Sequence, residues 1–310
     1  MIGRRSTAVA AALLLAALAA AGCGLGPGAD VADVELTVTH EFGSEAVLEA
    51  KVGGVSESDT VMRVLEGEAE IGTRYGGGFV QSIDGVEAEQ GGGRSHDWFF
   101  FVNGVESPIG AAEFELEGGE RIWWDYRDWT AASRVPAVVG SWPAPLRGGY
   151  GGHAHPVVLQ CEGGGPACAI ARKALAAAGV ELASGTPAGA IRVLVGPWQR
   201  LRSESAAALL AAGPAESGVY AEFDGSGAAT RLRGLDPDAD PAREFGPDAG
   251  LVAAMRRFES PPTWLVTGVT PAAVRAAAKA LDAATLRDHY AVAIEDGQAT
   301  PLPVDPGAGG

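Results

Sequence analysis

Lysine is nearly absent from this chain: only Lys51, Lys173 and Lys279 occur among 310 residues. Lys plus Arg number 23 against 39 Asp plus Glu, for a net charge of −16. A nucleic-acid binder needs clustered cations to neutralise phosphate, so that class is excluded. Cysteine is also scarce, at three residues, and no C-x-x-C spacing of the kind used by redox-active or zinc-binding thiols is present. Membrane-spanning runs are missing as well. The longest uncharged apolar stretch, Ala8 to Ala21, rises only about 21 Å as a helix, against the roughly 30 Å of a hydrocarbon core. The hydrolase and transferase signatures G-x-S-x-G, H-E-x-x-H and S-x-x-K do not occur. What remains is 47% hydrophobic and 20% charged, enough for a real core, and the length suits two domains.

The N-terminus reads as a targeting segment. Arg4 and Arg5 precede the apolar run, and Ala20, Ala21 and Gly22 stand directly before Cys23. This resembles a bacterial lipoprotein lipobox, with Ala20 where Leu is commonest. The resemblance implies a signal peptide over 1–22, lipidation of Cys23, a tether over 23–33 and attachment to the extracytoplasmic face of the cell membrane. More than one acyl chain makes such anchoring stable. The competing reading is an ordinary secretory signal that leaves Cys23 a free thiol. Losing Arg4 and Arg5 takes the net charge from −16 to −18. The charge is uneven: residues 34–129 carry 20 acidic and 6 basic side chains, and residues 156–304 carry 16 and 13. That contrast divides the chain into two domains, joined by a Pro/Gly-rich linker over 130–155 and followed by a short tail over 305–310. Cys161 and Cys168, seven apart across a Gly-rich turn, suit a local disulfide in an oxidising compartment.

The expected fold class is α+β, a small mainly β domain followed by an α/β domain with a mixed sheet. In the first, Val34–Thr39 and Val47–Val52 are strands, and a short helix capped by Ser58 or Asp59 carries Val61, Met62, Val64 and Leu65. Phe79–Ile83 runs into an Asp84-Gly85 turn and Trp98–Val102 into an Asn103-Gly104 turn. Glu113–Leu116 and Ile122–Tyr126 flank Gly118-Gly119 as a third hairpin. Further on, strands are expected at Val157–Gln160, Ile191–Val195, Trp264–Thr267, Tyr290–Ile294 and Thr300–Val304. Helices are expected at Pro166–Ala178, Ser205–Ala212, Leu251–Phe258 and Pro271–Ala283, with a hairpin about Asp224-Gly225.

The succession T-V-M-R-V-L, F-V-Q-S-I-D-G-V, W-F-F-F-V-N-G-V, I-G-A-A-E-F-E-L, G-E-R-I-W-W-D-Y resembles the bacterial domain of unknown function grouped with the transcobalamin C-terminal domain. It covers roughly Asp59 to Trp129, with Glu120 where Asp is usual and Phe114 where Tyr is common. The resemblance implies a β-rich module that holds a small ligand, a corrinoid such as cobalamin foremost, or a partner such as an uptake transporter or surface protein. The residues agree with that. Alternate strand side chains face opposite ways, so Trp98, Phe100 and Val102 share one face, and Trp123 lies opposite Trp124 and Tyr126. A sheet with one core face leaves some of these rings to stack on a ligand or to bury against the second domain. The candidate ligand-binding residues are Tyr75, Trp98, Phe100, Asn103, Trp123, Trp124 and Tyr126. No catalytic residues are assigned, no cofactor is required, and His153 and His155 form too small a set for a metal site. The expected function is a non-catalytic, lipid-anchored binding protein. The alternatives are an adhesive surface module without a pocket and an enzyme housed in the α/β domain.

Overall fold

A computed structural model describes residues 32–305, so Cys23, the leader over 1–22 and the final residues from 306 lie outside the described residues. The fold is mixed α+β. Its first sheet is built from β1 (Val34–His40), β2 (Glu45–Val52), β6 (Glu89–Gly91), β7 (Arg94–Val102), β8 (Val105–Glu106) and β9 (Arg121–Asp128). The order is β2-β1-β9-β7-β6, with β8 also on β7. β9 runs parallel to β1 and antiparallel to β7. One face of this sheet is covered by helix α1 (Val61–Glu68) and by a small antiparallel sheet of β3 (Ile71–Arg74), β4 (Phe79–Ile83) and β5 (Val86–Glu87). Val61, Met62, Val64 and Leu65 of α1 pack there with Leu36, Val38, Ile122 and Trp124. The helix cap is Thr60, whose hydroxyl accepts from the Arg63 N–H, rather than Ser58 or Asp59. The Asp59 carboxylate accepts instead from the Ser56 N–H and hydroxyl.

The second sheet has the order β10 (Val157–Cys161), β11 (Ile191–Pro197), β16 (Thr263–Gly268), β15 (Gly250–Met255), β17 (Ala291–Glu295) and β18 (Gln298–Leu302). β10, β11 and β16 are parallel, and the remaining pairs are antiparallel. Helices α2 (Pro166–Ala177) and α4 (Pro271–Lys279) pack on one face. Gly250 lets α4 approach, since a Cβ there would stand 2.4 Å from the Ala273 carbonyl. Helix α3 (Ser205–Ala211) and a three-stranded sheet of β12 (Ala221–Asp224), β13 (Arg231–Leu235) and β14 (Pro241–Glu244) lie with the other face. A disulfide joins Cys161 at the end of β10 to Cys168 in the first turn of α2, with the two Cα atoms 5.8 Å apart.

Three further expectations are corrected. The segment expected as a helix over Leu251–Phe258 is strand β15 as far as Met255. All six of its residues are buried between β16 and β17, and an apolar run buried on both faces carries no period that separates strand from helix. Glu113–Leu116 forms no hairpin with β9, because β9 takes β1 and β7 as neighbours and Glu115 makes only a bridge to Thr60. The connector over 130–155, expected to be a Pro/Gly-rich linker between separate domains, is packed. Ala132, Val135, Val138, Val139 and Trp142 are buried, the Val138 N–H donates to Gly104, and the Val139 N–H donates to Tyr290.

That connector lies in a layer joining the two sheets. Phe42, Phe101, Trp123, Val135, Val138, Tyr220 and Tyr290 form one buried cluster there, drawn from both halves and from the connector. Gly140 is required in this layer, since a Cβ would stand 2.7 Å from the Trp123 ring and 2.8 Å from the His289 backbone.

Candidate functional site

The aromatic strands β7 and β9 pair so that Trp98 faces Tyr126, Phe100 faces Trp124 and Phe101 faces Trp123. Strand alternation then divides the rings between two faces. Trp98, Phe100, Trp124 and Tyr126 belong to the face under α1 and β4. Phe101 and Trp123 belong to the face against the C-terminal half. Trp123 is fully buried, its indole N–H donating to the Thr39 hydroxyl at 2.8 Å. Of the expected ligand-binding residues, it is held wholly between the two sheets.

Three of the others come together. Trp98, Phe100 and Trp124 border a cleft of about 210 Å³, completed by Phe79, Val80, Asp97, Phe99, Ile109 and Ala111 among others. Phe100 stacks on Trp124 with ring centroids 4.9 Å apart. The Trp98 indole is fixed by donation to the Val86 carbonyl at 2.9 Å, whereas the buried Trp124 indole N–H has no partner among the described residues. Tyr126 lies beside this group, its hydroxyl donating to the Glu87 carbonyl at 2.9 Å and its ring stacked on His96. Tyr75 is 86% exposed and meets Phe79 edge to face. Asn103 stands apart. Its side chain donates to the Gly149 carbonyl and accepts from the Arg121 N–H, both at 2.9 Å, and it borders a smaller hollow of about 70 Å³ with Gly149, Tyr150 and His153.

The cleft is acidic. Its lining holds the carboxyls of Asp97 and Glu106 and no Lys or Arg. Burial pushes both carboxyls above the ordinary range. Asp97 is drawn partly back by donation from the Trp98 N–H and by the charges of Arg127 and Arg74. Glu106 is drawn back by Arg134, 3.5 Å away, by Arg127 and by the Val135 N–H. The one hydroxyl of the lining, on Ser107, both donates to and accepts from the Ile109 backbone.

Sequence reading missed Phe79, Ile109 and Asp97. Phe79 is 39% exposed and Ile109 45%, and the signal for Phe79 was its place directly after Gly76-Gly77-Gly78. Among the described residues no group of three or more His, Cys, Asp and Glu is arranged to hold a metal ion. His155 is stacked on Tyr150 with centroids 4.1 Å apart.

No curated protein matches the chain. A solved structure from Ruminococcus gnavus, of a protein provisionally described as metal-binding, is similar over 31% of this chain and 97% of its own, with 16% identity and a TM-score of 0.25. Residues 58–128, which include α1 and the strands that border the cleft, match a family described as a domain of unknown function, DUF4430.

Proposed function

We propose that the chain is a non-catalytic binding protein, anchored through lipid on Cys23 to the outer face of a bacterial membrane. Its N-terminal β domain, residues 34–129, captures a small ligand or a group on a partner at the Trp98–Phe100–Trp124 cleft. The observation that carries this reading is the cleft itself, an aromatic hollow of about 210 Å³ whose lining includes the part-exposed side chains of Phe79 and Ile109, the Phe79 ring meeting the exposed Tyr75. Exposed apolar groups gathered at a concave site mark a place where something binds. The engagement of the Ser107 hydroxyl by backbone supports a binding role over a catalytic one. A ligand the size of a corrinoid exceeds this hollow, since sites that enclose drug-sized ligands span roughly 300–1,000 Å³. It would rest one flank on the aromatic rim and pass from there to an uptake transporter or surface partner.

The test is titration of the soluble chain carrying Cys23→Ser with cyano- and hydroxocobalamin, followed by Trp fluorescence and thermal shift. Saturable quenching with a raised Tm, both reduced by Trp124→Phe, is the expected result. A flat response in both removes the corrinoid, and a response that Trp124→Phe leaves intact removes the cleft.

A further inference from the structure

The cleft runs along an open strand edge. Within β7, the Ser95 carbonyl accepts from the Trp129 N–H and the Asn103 N–H donates to the Arg121 carbonyl, so the odd-numbered residues pair with β9. In an antiparallel ladder the intervening residues turn their N–H and C=O groups to the other side. Among the described residues, that outer side is covered only at its ends, by β6 on residues 94–96 and by β8 on residues 101–102, and no described strand faces residues 97–100 between them. Among the described residues, the Trp98 N–H is satisfied by the adjacent Asp97 carboxyl at 2.8 Å. The Trp98 carbonyl and both backbone groups of Phe100 have no strand or turn partner there. The lining agrees with this placement: Trp98 and Phe100 come from one face of β7, and Asp97 and Phe99 from the other. A hollow that touches side chains on both faces of a strand lies along that strand's edge.

Resting on the binding role proposed for this cleft, we propose that it receives an extended peptide segment of another protein. The segment pairs with the backbone of Trp98 and Phe100 and seats an apolar side chain against Phe79, Phe100 and Trp124. An unpaired edge is a template for strand addition, in which main-chain hydrogen bonds give affinity and alternate side chains give specificity. The gap admits about four residues, or about 13 Å of strand. Charge selects the composition. Asp97 and Glu106 stand on the lining with no Lys or Arg, in a segment with 20 acidic and 6 basic side chains over residues 34–129. The complementary peptide alternates apolar residues with Lys or Arg and excludes Asp and Glu.

The experiment screens a capped, randomised pentapeptide library on beads against the full chain, then measures the retained peptides by fluorescence anisotropy. Retained sequences should carry alternating apolar residues and Lys or Arg. Phe100→Pro and Phe100→Ala both remove the ring, but only proline removes the outward N–H, so binding to the Pro variant should be weaker by about three- to tenfold. Peptides N-methylated at one alternate set of amides should lose a similar factor on the unaltered protein, and those methylated at the other set should not. This arm keeps the question open to test where the Pro variant does not fold. An empty screen, an acidic consensus, or equal loss for both methylation sets overturns the peptide occupant. An empty screen beside Trp124-dependent corrinoid quenching overturns only this inference, whereas silence in both removes the binding role as well.

Discussion

The Tyr290 hydroxyl donates to Asp125 Oδ2 across the two halves of the molecule, at 2.9 Å. Asp125 is wholly buried on β9 and also accepts from the Thr39 hydroxyl at 2.5 Å and from the N–H groups of Phe42 and Gly43 at 3.0 and 3.1 Å. Thr39 in turn accepts from Trp123. One carboxyl thus ties the first sheet, the turn after β1 and the residue preceding β17. The N-terminal sheet is thereby held on its far face while the cleft stays open at the edge of β7.

The first prediction concerns pH. Burial pushes the Asp125 carboxyl up to about 6, against donors that pull it down, whereas the unfolded chain titrates near 3.9. A raised folded pKa gives stability that is fully present below about pH 4 and is lost as pH rises through about 6. The linkage is on the order of 3 kcal/mol across that window. Urea unfolding from pH 4 to 7.5 should show stability falling with rising pH, and Asp125→Asn should flatten that part of the curve. An unchanged slope in the variant would place the titration elsewhere.

Tyr290→Phe should cost about 1–3 kcal/mol, the usual effect of removing a donor from a buried acceptor that carries charge. The ring remains to pack edge to face on Phe42, Phe101 and Trp123, so the fold persists. The loss should be smaller at pH 4.5, where Asp125 is protonated in the folded state and depends less on donors. Equal loss at both pH values would make the contribution one of packing alone.

The two adjacent tryptophans should respond differently to the same replacement. Trp123→Phe deletes an indole N–H that is bonded to Thr39, whereas Trp124→Phe deletes one that is buried without a partner among the described residues. Removing an unsatisfied donor returns its desolvation cost, so Trp123→Phe should be the more destabilising by about 1–3 kcal/mol. Only Trp124→Phe should alter ligand response at the cleft. Urea midpoints and quenching amplitudes measured on both variants check the two halves of this statement, and the reverse ranking of midpoints would count against the bonding pattern.

These contrasts mark how far the sequence could be read. The alternation of Trp98 to Val102 and Ile122 to Tyr126 places their rings on two faces without any structure. Which face is closed depends on Tyr220 and Tyr290, about a hundred residues or more away in the chain, and no local pattern carries that. Strand β15 was misread because both of its faces are buried, which erases the period of two. The third hairpin was misread for a related reason: β9 is held by β1, a parallel partner more than eighty residues earlier, and turn chemistry speaks only for neighbours. The connector shows the same limit, since Val135, Val138 and Val139 look like spacers until the two sheets close on them. The cleft is visible only in part. Its tryptophans stand out in the sequence, but Ile109 comes from a loop and Phe79 from the opposing small sheet.

The last prediction rests on the Cys161–Cys168 bond, which was legible from spacing and is formed. It closes a short loop containing Gly163, Gly164 and Gly165, all at positive φ. Such a loop is floppy when unfolded, so the crosslink acts chiefly on the unfolded chain. Loop-closure entropy for this length gives about 2–3 kcal/mol. Cys161→Ser with Cys168→Ser should lower stability by that amount, and adding dithiothreitol to the unaltered chain should do the same without a further effect on the double variant. Because the bond joins β10 to α2, in the second sheet and not among the residues that line the cleft, the Trp124-dependent ligand response should survive reduction. A ligand response lost on reduction would mean that the C-terminal half contributes to binding directly.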